Sequence, residues 1–144
     1  MLTTRGIISV EPRKGRIVLD VSPDFVKLYY WFISTKYWIR MNTPLHGSHV
    51  TIFNEKLHSK VDWKKAMSYD KKEIDFQYDP YIIEGGYTKG FIMYYIKVFS
   101  EELDQMKKKL GIIDGEKYRG LHITIANSKQ NSVFPDWPKM IEIR

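Results

Sequence analysis

Polar and apolar side chains alternate in two short runs, Ser48-His49-Val50-Thr51-Ile52 and Leu121-His122-Ile123-Thr124-Ile125, and that alternation predicts a strand in each. Successive strand side chains point to opposite faces, so His49 and Thr51 look one way and Val50 and Ile52 the other. His122 and Thr124 against Ile123 and Ile125 repeat the scheme half a chain later. Two His-Thr coincidences of this spacing arise in only about 1–2% of shuffled chains, so the pair is a specific signal where one copy is weak.

The remaining pattern fills in around these strands. Residues 6–10 and 16–21 read as strands flanking the turn Glu11-Pro12-Arg13-Lys14-Gly15. A helix from residue 23 to about 38 follows, with Ser22 as N-cap, Pro23 at the first helical position and Asp24 against the positive helix end. Its aromatic residues cover more than one face, which fits packing on a sheet. A short helix is expected over 60–67, strands over 73–78, 81–84 and 90–99, and turns at Asp79-Pro80 and Gly85-Gly86. Ser100 caps a second helix over 101–110, which Gly111 ends; Lys107, Lys108 and Lys109 complement its negative end and face solvent. The second His-Thr strand spans 121–126, and a last strand is expected over 139–143. Each half therefore runs strand, helix, His-Thr strand, and the sheet is expected to be mainly antiparallel, which makes the fold class α+β.

Composition narrows the class. The 144 residues are 43% hydrophobic and 28% charged, enough to bury a core as one unit. With no cysteine there are no disulfides or thiolate metal sites, which suits a cytoplasmic protein. No secretory leader or membrane span is expected: the first residues carry no apolar run, and the longest such run, 28–33, is too short to cross a bilayer. The net charge of +6 favours an anionic partner. Because the cations are scattered, a small anionic ligand fits better than a long nucleic acid.

Two histidines and two threonines facing one cleft suit a phosphodiester. Histidine titrates near neutrality, so one ring can remove a proton while the other supplies one. Threonine hydroxyls converging on a phosphate would hold its non-bridging oxygens as charge grows there. The P-loop, the G-x-S-x-G elbow and the dinucleotide-binding glycine set are all missing, which removes the usual signals for NTPase, hydrolase-triad and dinucleotide chemistry.

His49-Val50-Thr51-Ile52 and His122-Ile123-Thr124-Ile125 resemble the paired His-x-Thr-x signatures of the two-histidine phosphoesterase superfamily, which includes RNA cyclic phosphodiesterases and 2′-5′ RNA ligase-like proteins. The resemblance implies a single domain over 1–144 with two lobes, mainly antiparallel sheets, helices packed outside and a central cleft carrying one motif per lobe. It implies catalysis by His49, Thr51, His122 and Thr124 with no metal and no cofactor. The lead-in from Pro44 to Thr51 and the second motif through Asn127 are similar to the phage anti-CBASS nucleases, which degrade cyclic di- and trinucleotide signals. That implies action in the host cytosol on substrates of the 3′,3′-cyclic GMP-AMP type; separately, the chain is expected to be a monomer. An RNA 2′,3′-cyclic phosphodiesterase, a 2′-5′ RNA ligase-like enzyme and a non-catalytic nucleotide-binding module stay open as alternatives, as does the choice of which histidine is base and which acid.

Substrate contacts are assigned to loops. Tyr81, Tyr87, Tyr118 and Trp137 are the candidates for stacking on bases, and Arg119, with Lys117 beside it, is placed at the cleft mouth to meet phosphate. His46 precedes His49 by three residues, but no Cys or nearby carboxylate completes a metal set, so it is read as a loop residue or as one that supports the site from behind. His58 is expected to be an ordinary surface or turn residue.

Overall fold

A computed structural model describes residues 1–37, 48–88, 91–128 and 140–142. Strand β1 (Leu2–Glu11) leads through a 3-10 turn at Pro12–Lys14 into β2 (Arg16–Asp20), and helix α1 (Pro23–Tyr37) follows. Next come β3 (His49–Asn54), the single turn α2 (Trp63–Ala66), β4 (Glu73–Tyr78), β5 (Tyr81–Thr88) and β6 (Phe91–Phe99). Helix α3 (Glu101–Lys109), β7 (His122–Ser128) and β8 (Met140–Glu142) complete the order. Both long helices start as their sequences dictate. The Ser22 hydroxyl accepts from the Asp24 N–H at 3.4 Å, and the Ser100 hydroxyl accepts from Leu103 N–H at 3.3 Å while donating to the Asp75 carbonyl of β4 at 3.1 Å.

The fold is α+β, with every strand pairing among the described residues antiparallel. The sheet has eight strands in the order β4-β1-β2-β3-β7-β6-β5-β8, and β4 also pairs with the end of β6 through Gln77 with Phe99 and Tyr78 with Val98. That extra pairing closes a circuit of six strands, β4-β1-β2-β3-β7-β6, and leaves β5 and β8 as an extension. A closed circuit satisfies backbone groups that an open edge leaves bare.

Two expected turns are not reversals. At Asp79-Pro80 the chain only kinks: β4 and β5 run in the same direction along β6, with the Asp79 N–H bonded to the Lys97 carbonyl at 3.1 Å. The second, Gly85-Gly86, lies inside β5, where the register against β6 shifts between Gly85 and Thr88. Glycine within a strand marks such an irregularity as readily as a turn. At its far end β5 pairs with β6 through Thr88 and Phe91.

Buried apolar residues from both halves form one cluster, including Ile8, Leu19, Val50 and Phe53 from the first half and Tyr94, Ile96, Leu103 and Ile123 from the second. Helix α1 buries Val26 and Tyr29 but leaves Leu28 and Trp31 more than half exposed, so its aromatic surface is only partly covered. Among the described residues no helix is long and apolar enough to cross a membrane.

Candidate active site

The two His-Thr strands are neighbours. β3 and β7 pair through Val50 and Ile123, which are both fully buried. Directly opposed residues share a face, so with Val50 and Ile123 on the core side, the residues flanking each lie on the other side. Alternation along each strand then turns His49 and Thr51 of β3, and His122 and Thr124 of β7, to that other side. All four motif side chains thus share one face, and each is half-buried. The two rings are close enough for the charge of one to lower the pKa of the other.

Their outer neighbours repeat the correspondence. On the first side, β2 pairs Asp20 with His49, Leu19 with Val50 and Val18 with Thr51; the register then shifts, so Ile17 meets Phe53 and Arg16 meets Asn54. On the second, β6 pairs Lys97 with His122, Ile96 with Ile123 and Tyr95 with Thr124; after the same shift Tyr94 meets Ala126 and Met93 meets Asn127. Ile52 and Ile125 are the skipped residues, each the position just after its threonine. A bulge interrupts the alternation by one residue, which keeps Ile52 and Phe53, or Ile125 and Ala126, buried in succession and returns Asn54 and Asn127 to the polar face. The repeat is therefore His-x-Thr-x-x-Asn in both strands, longer than the His-Thr pairs alone reveal.

The two histidines sit in different surroundings. The Nδ1 of His122 lies 2.8 Å from the Gly120 carbonyl. A carbonyl only accepts, so Nδ1 carries the proton and Nε2 keeps its lone pair. Gly120 has a φ of +80°, a conformation that glycine adopts without strain, and it sets this carbonyl two residues before the ring. Burial holds His122 below its ordinary pKa; the Gly120 hydrogen bond opposes this, and the charges of Arg119 and His49 add to it. The Tyr95 ring meets His122 edge-on, with centroids 5.3 Å apart. Across from His49 stands Asp20, whose carboxyl is raised by burial and by Glu11 and drawn down by His49 and Arg16.

Behind Thr51 lies a packed cluster. The Tyr118 hydroxyl donates to the Thr51 carbonyl at 2.8 Å. Its ring meets His58 at 4.2 Å between centroids, and the Lys107 ammonium lies 4.6 Å from the ring centroid. Lys107 also binds Asp114 at 2.7 Å. The His58 side chain is fully buried, its Nδ1 accepting from the Asn54 N–H at 3.0 Å and its Nε2 3.2 Å from Asp114. Burial holds His58 below its ordinary pKa. His58 is thus an interior bracket on the end of β3 and not a surface residue, and Lys107 is a buttress where a solvated lysine was expected.

A depression of about 560 Å³ opens beside the first motif, lined by His49, Thr51 and Asn54 with Lys14, Arg16, Glu55 and Lys56. Arg16 is engaged by Glu11 at 2.7 Å. Of the residues expected to contact substrate, Arg119 is exposed beside His122, and Tyr118 is turned into the cluster behind β3. Tyr81 lies on β5, with β6 between it and β7. Tyr87 falls on β5 with its side chain outside the described residues, and Trp137 and His46 lie outside them altogether. Sequence reasoning passed over Asp20, Lys97 and Tyr95, which carry no motif of their own, and over Asn54 and Asn127, whose shared offset from each histidine was a usable signal. Among the described residues no group of three His, Cys, Asp or Glu side chains is arranged to hold a metal ion. No family model, curated protein or solved structure matches the chain.

Proposed function

We propose that this chain is a two-histidine phosphodiesterase that cleaves cyclic di- and trinucleotide signals of the 3′,3′-cyclic GMP-AMP type by acid–base catalysis, in the manner of the phage anti-CBASS nucleases. The observation that carries the reading is the β3–β7 register, which puts His49, Thr51, His122 and Thr124 on one polar face. Two rings and two hydroxyls so arranged can seat a phosphate between a proton donor and a proton acceptor, the requirement for in-line displacement at phosphorus. The substrate 2′-hydroxyl attacks the adjacent phosphorus, the 5′-oxygen leaves, and a 2′,3′-cyclic phosphate forms on a linearised product. Tyr81, Tyr87, Trp137 and Arg119 are the residues proposed to meet bases and phosphate, with the chain acting as a monomer in the cytoplasm.

The test is a substrate panel with EDTA present. Cyclic dinucleotides and trinucleotides, 2′-5′ oligoadenylate and RNA ending in a 2′,3′-cyclic phosphate are incubated with the protein and the products separated. Linearised cyclic dinucleotide is expected, with His49→Ala and His122→Ala each slowing turnover by about 10²–10⁴-fold. Preference for the RNA end would replace the substrate with that of an RNA cyclic phosphodiesterase. Tight binding without cleavage, unchanged in both variants, would make the chain a nucleotide-binding module.

A further inference from the structure

The duplicated strands are near-equivalent, but their outer neighbours are not. Asp20 stands opposite His49 in β2, and Lys97 stands opposite His122 at the matching position of β6. We propose that His49 is the proton donor and His122 the proton acceptor of the reaction, and that Asp20 is the positioning residue that sets this direction. The inference rests on the phosphodiesterase reading of the same face and adds to it the direction of proton flow.

Among the described residues, each ring is surrounded accordingly. His49 faces the Asp20 carboxylate from β2 and His122 from β7, with Lys14, Arg16, Glu55 and Lys56 around the adjoining depression and Glu11 tied to Arg16. His122 faces Lys97 and Tyr95 from β6, His49 from β3, and Arg119 and the Gly120 carbonyl from the segment before β7. Helix α1 packs on β7, and its Asp24 and Lys27 are exposed. One ring thus has an anion across the strand pair, which favours the imidazolium. The other has the Arg119 charge beside it, an exposed lysine rather than a carboxylate at the facing position of β6, and its Nδ1 already committed to a carbonyl, which leaves a neutral ring with Nε2 open to a proton.

The chemistry balances with these roles. His122 Nε2 takes the proton of the attacking 2′-hydroxyl as the O2′–P bond forms. The P–O5′ bond breaks, and the proton on His49 passes to O5′. Each turnover leaves His49 neutral and His122 charged, the reverse of the starting state. Proton exchange with water restores both, or hydrolysis of the cyclic phosphate through the same pair does.

Two measurements test this. The first needs no activity: the ring proton shifts of His49 and His122, assigned with single His→Gln variants, are followed through the neutral range. His49 is expected to titrate above His122, and Asp20→Asn to lower the His49 midpoint by about 1 unit without moving His122. Asp20→Glu, which keeps the charge, should restore it. A higher midpoint for His122, or a His49 midpoint indifferent to Asp20→Asn, overturns the proposal. The second measurement uses a ribonucleoside 3′-(4-nitrophenyl phosphate), whose leaving group departs without protonation. On this ester His49→Ala should keep most of the wild-type rate, whereas His122→Ala should lose about 10²–10⁴-fold, as both do on a cyclic dinucleotide. The opposite pattern reverses the roles. A wild-type protein that cleaves neither ester nor dinucleotide sinks the phosphodiesterase reading instead, and the titration still decides whether Asp20 acts on His49.

Discussion

Two histidines held neutral tie the stability of this chain to pH. His58 and His122 are both held below the ordinary value of 6.5, chiefly by burial. A ring kept neutral in the folded chain binds fewer protons there than in the unfolded one. Unfolding therefore becomes easier as pH falls below about 6.5 and continues to ease until the folded-state values are passed. Urea midpoints measured between neutral and mildly acidic pH should fall, and His58→Gln should flatten that fall, since glutamine cannot take up the proton. A slope unchanged in His58→Gln would assign the effect to His122 alone. At the neighbouring Gly120 an alanine meets no atom within 4 Å, yet its φ of +80° strains any side chain. Gly120→Ala is expected to cost about 1–3 kcal/mol or to relax by turning the carbonyl away from His122. The second outcome shows as a changed His122 ring shift without loss of stability.

At the level of elements, what the sequence made legible was whatever alternation and capping encode locally. The His-Thr strands, the Ser22 and Ser100 caps and the order strand, helix, His-Thr strand in each half all appear as expected. The bulges after Thr51 and Thr124 were not legible, because Ile-Phe and Ile-Ala read as the end of an apolar run until a partner strand shows which residue is skipped. Gly85-Gly86 misled for a related reason: a glycine pair punctuates a strand or ends it, and only pairing with β6 decides. Tyr118 was expected in a loop as a candidate for base stacking and His58 as a surface or turn residue, whereas contacts with Thr51, Phe53 and Lys107 draw them in. Tyr118 now has a definite task, since its hydroxyl satisfies the carbonyl of a motif residue. Tyr118→Phe keeps the ring and removes that donor, so it should cost about 0.5–1.5 kcal/mol in denaturant unfolding. If the bond also fixes the pitch of β3 at Thr51, kcat falls while KM stays near its wild-type value; equal stability of the two proteins would remove Tyr118 from any supporting role.

Across the whole molecule, the polar face exists only because two halves of the chain meet along one line. β3 and β7 join through Val50 and Ile123, and the opposite side of the circuit is closed by β4 and β6. The buried cluster runs through both halves without a break, so neither half has a core of its own to fall back on. The chain should therefore unfold in one step, with circular dichroism and tryptophan fluorescence changing together. Ile123→Ala probes the seam directly. It removes a fully buried side chain at the junction and is expected to cost about 2–5 kcal/mol, the range for truncating a buried isoleucine. Trp63 packs edge-on against Phe53, 5.5 Å between centroids, so in a protein whose other three tryptophans, Trp31, Trp38 and Trp137, are replaced by phenylalanine its emission reports on the first half although the substitution lies in the second. If the halves are one cooperative unit, the fluorescence midpoint in Ile123→Ala moves by the same amount as the helical signal. If fluorescence holds its midpoint while the rest shifts, the halves are separable, and the two histidines then owe their meeting to a weak seam that substrate itself must help to close.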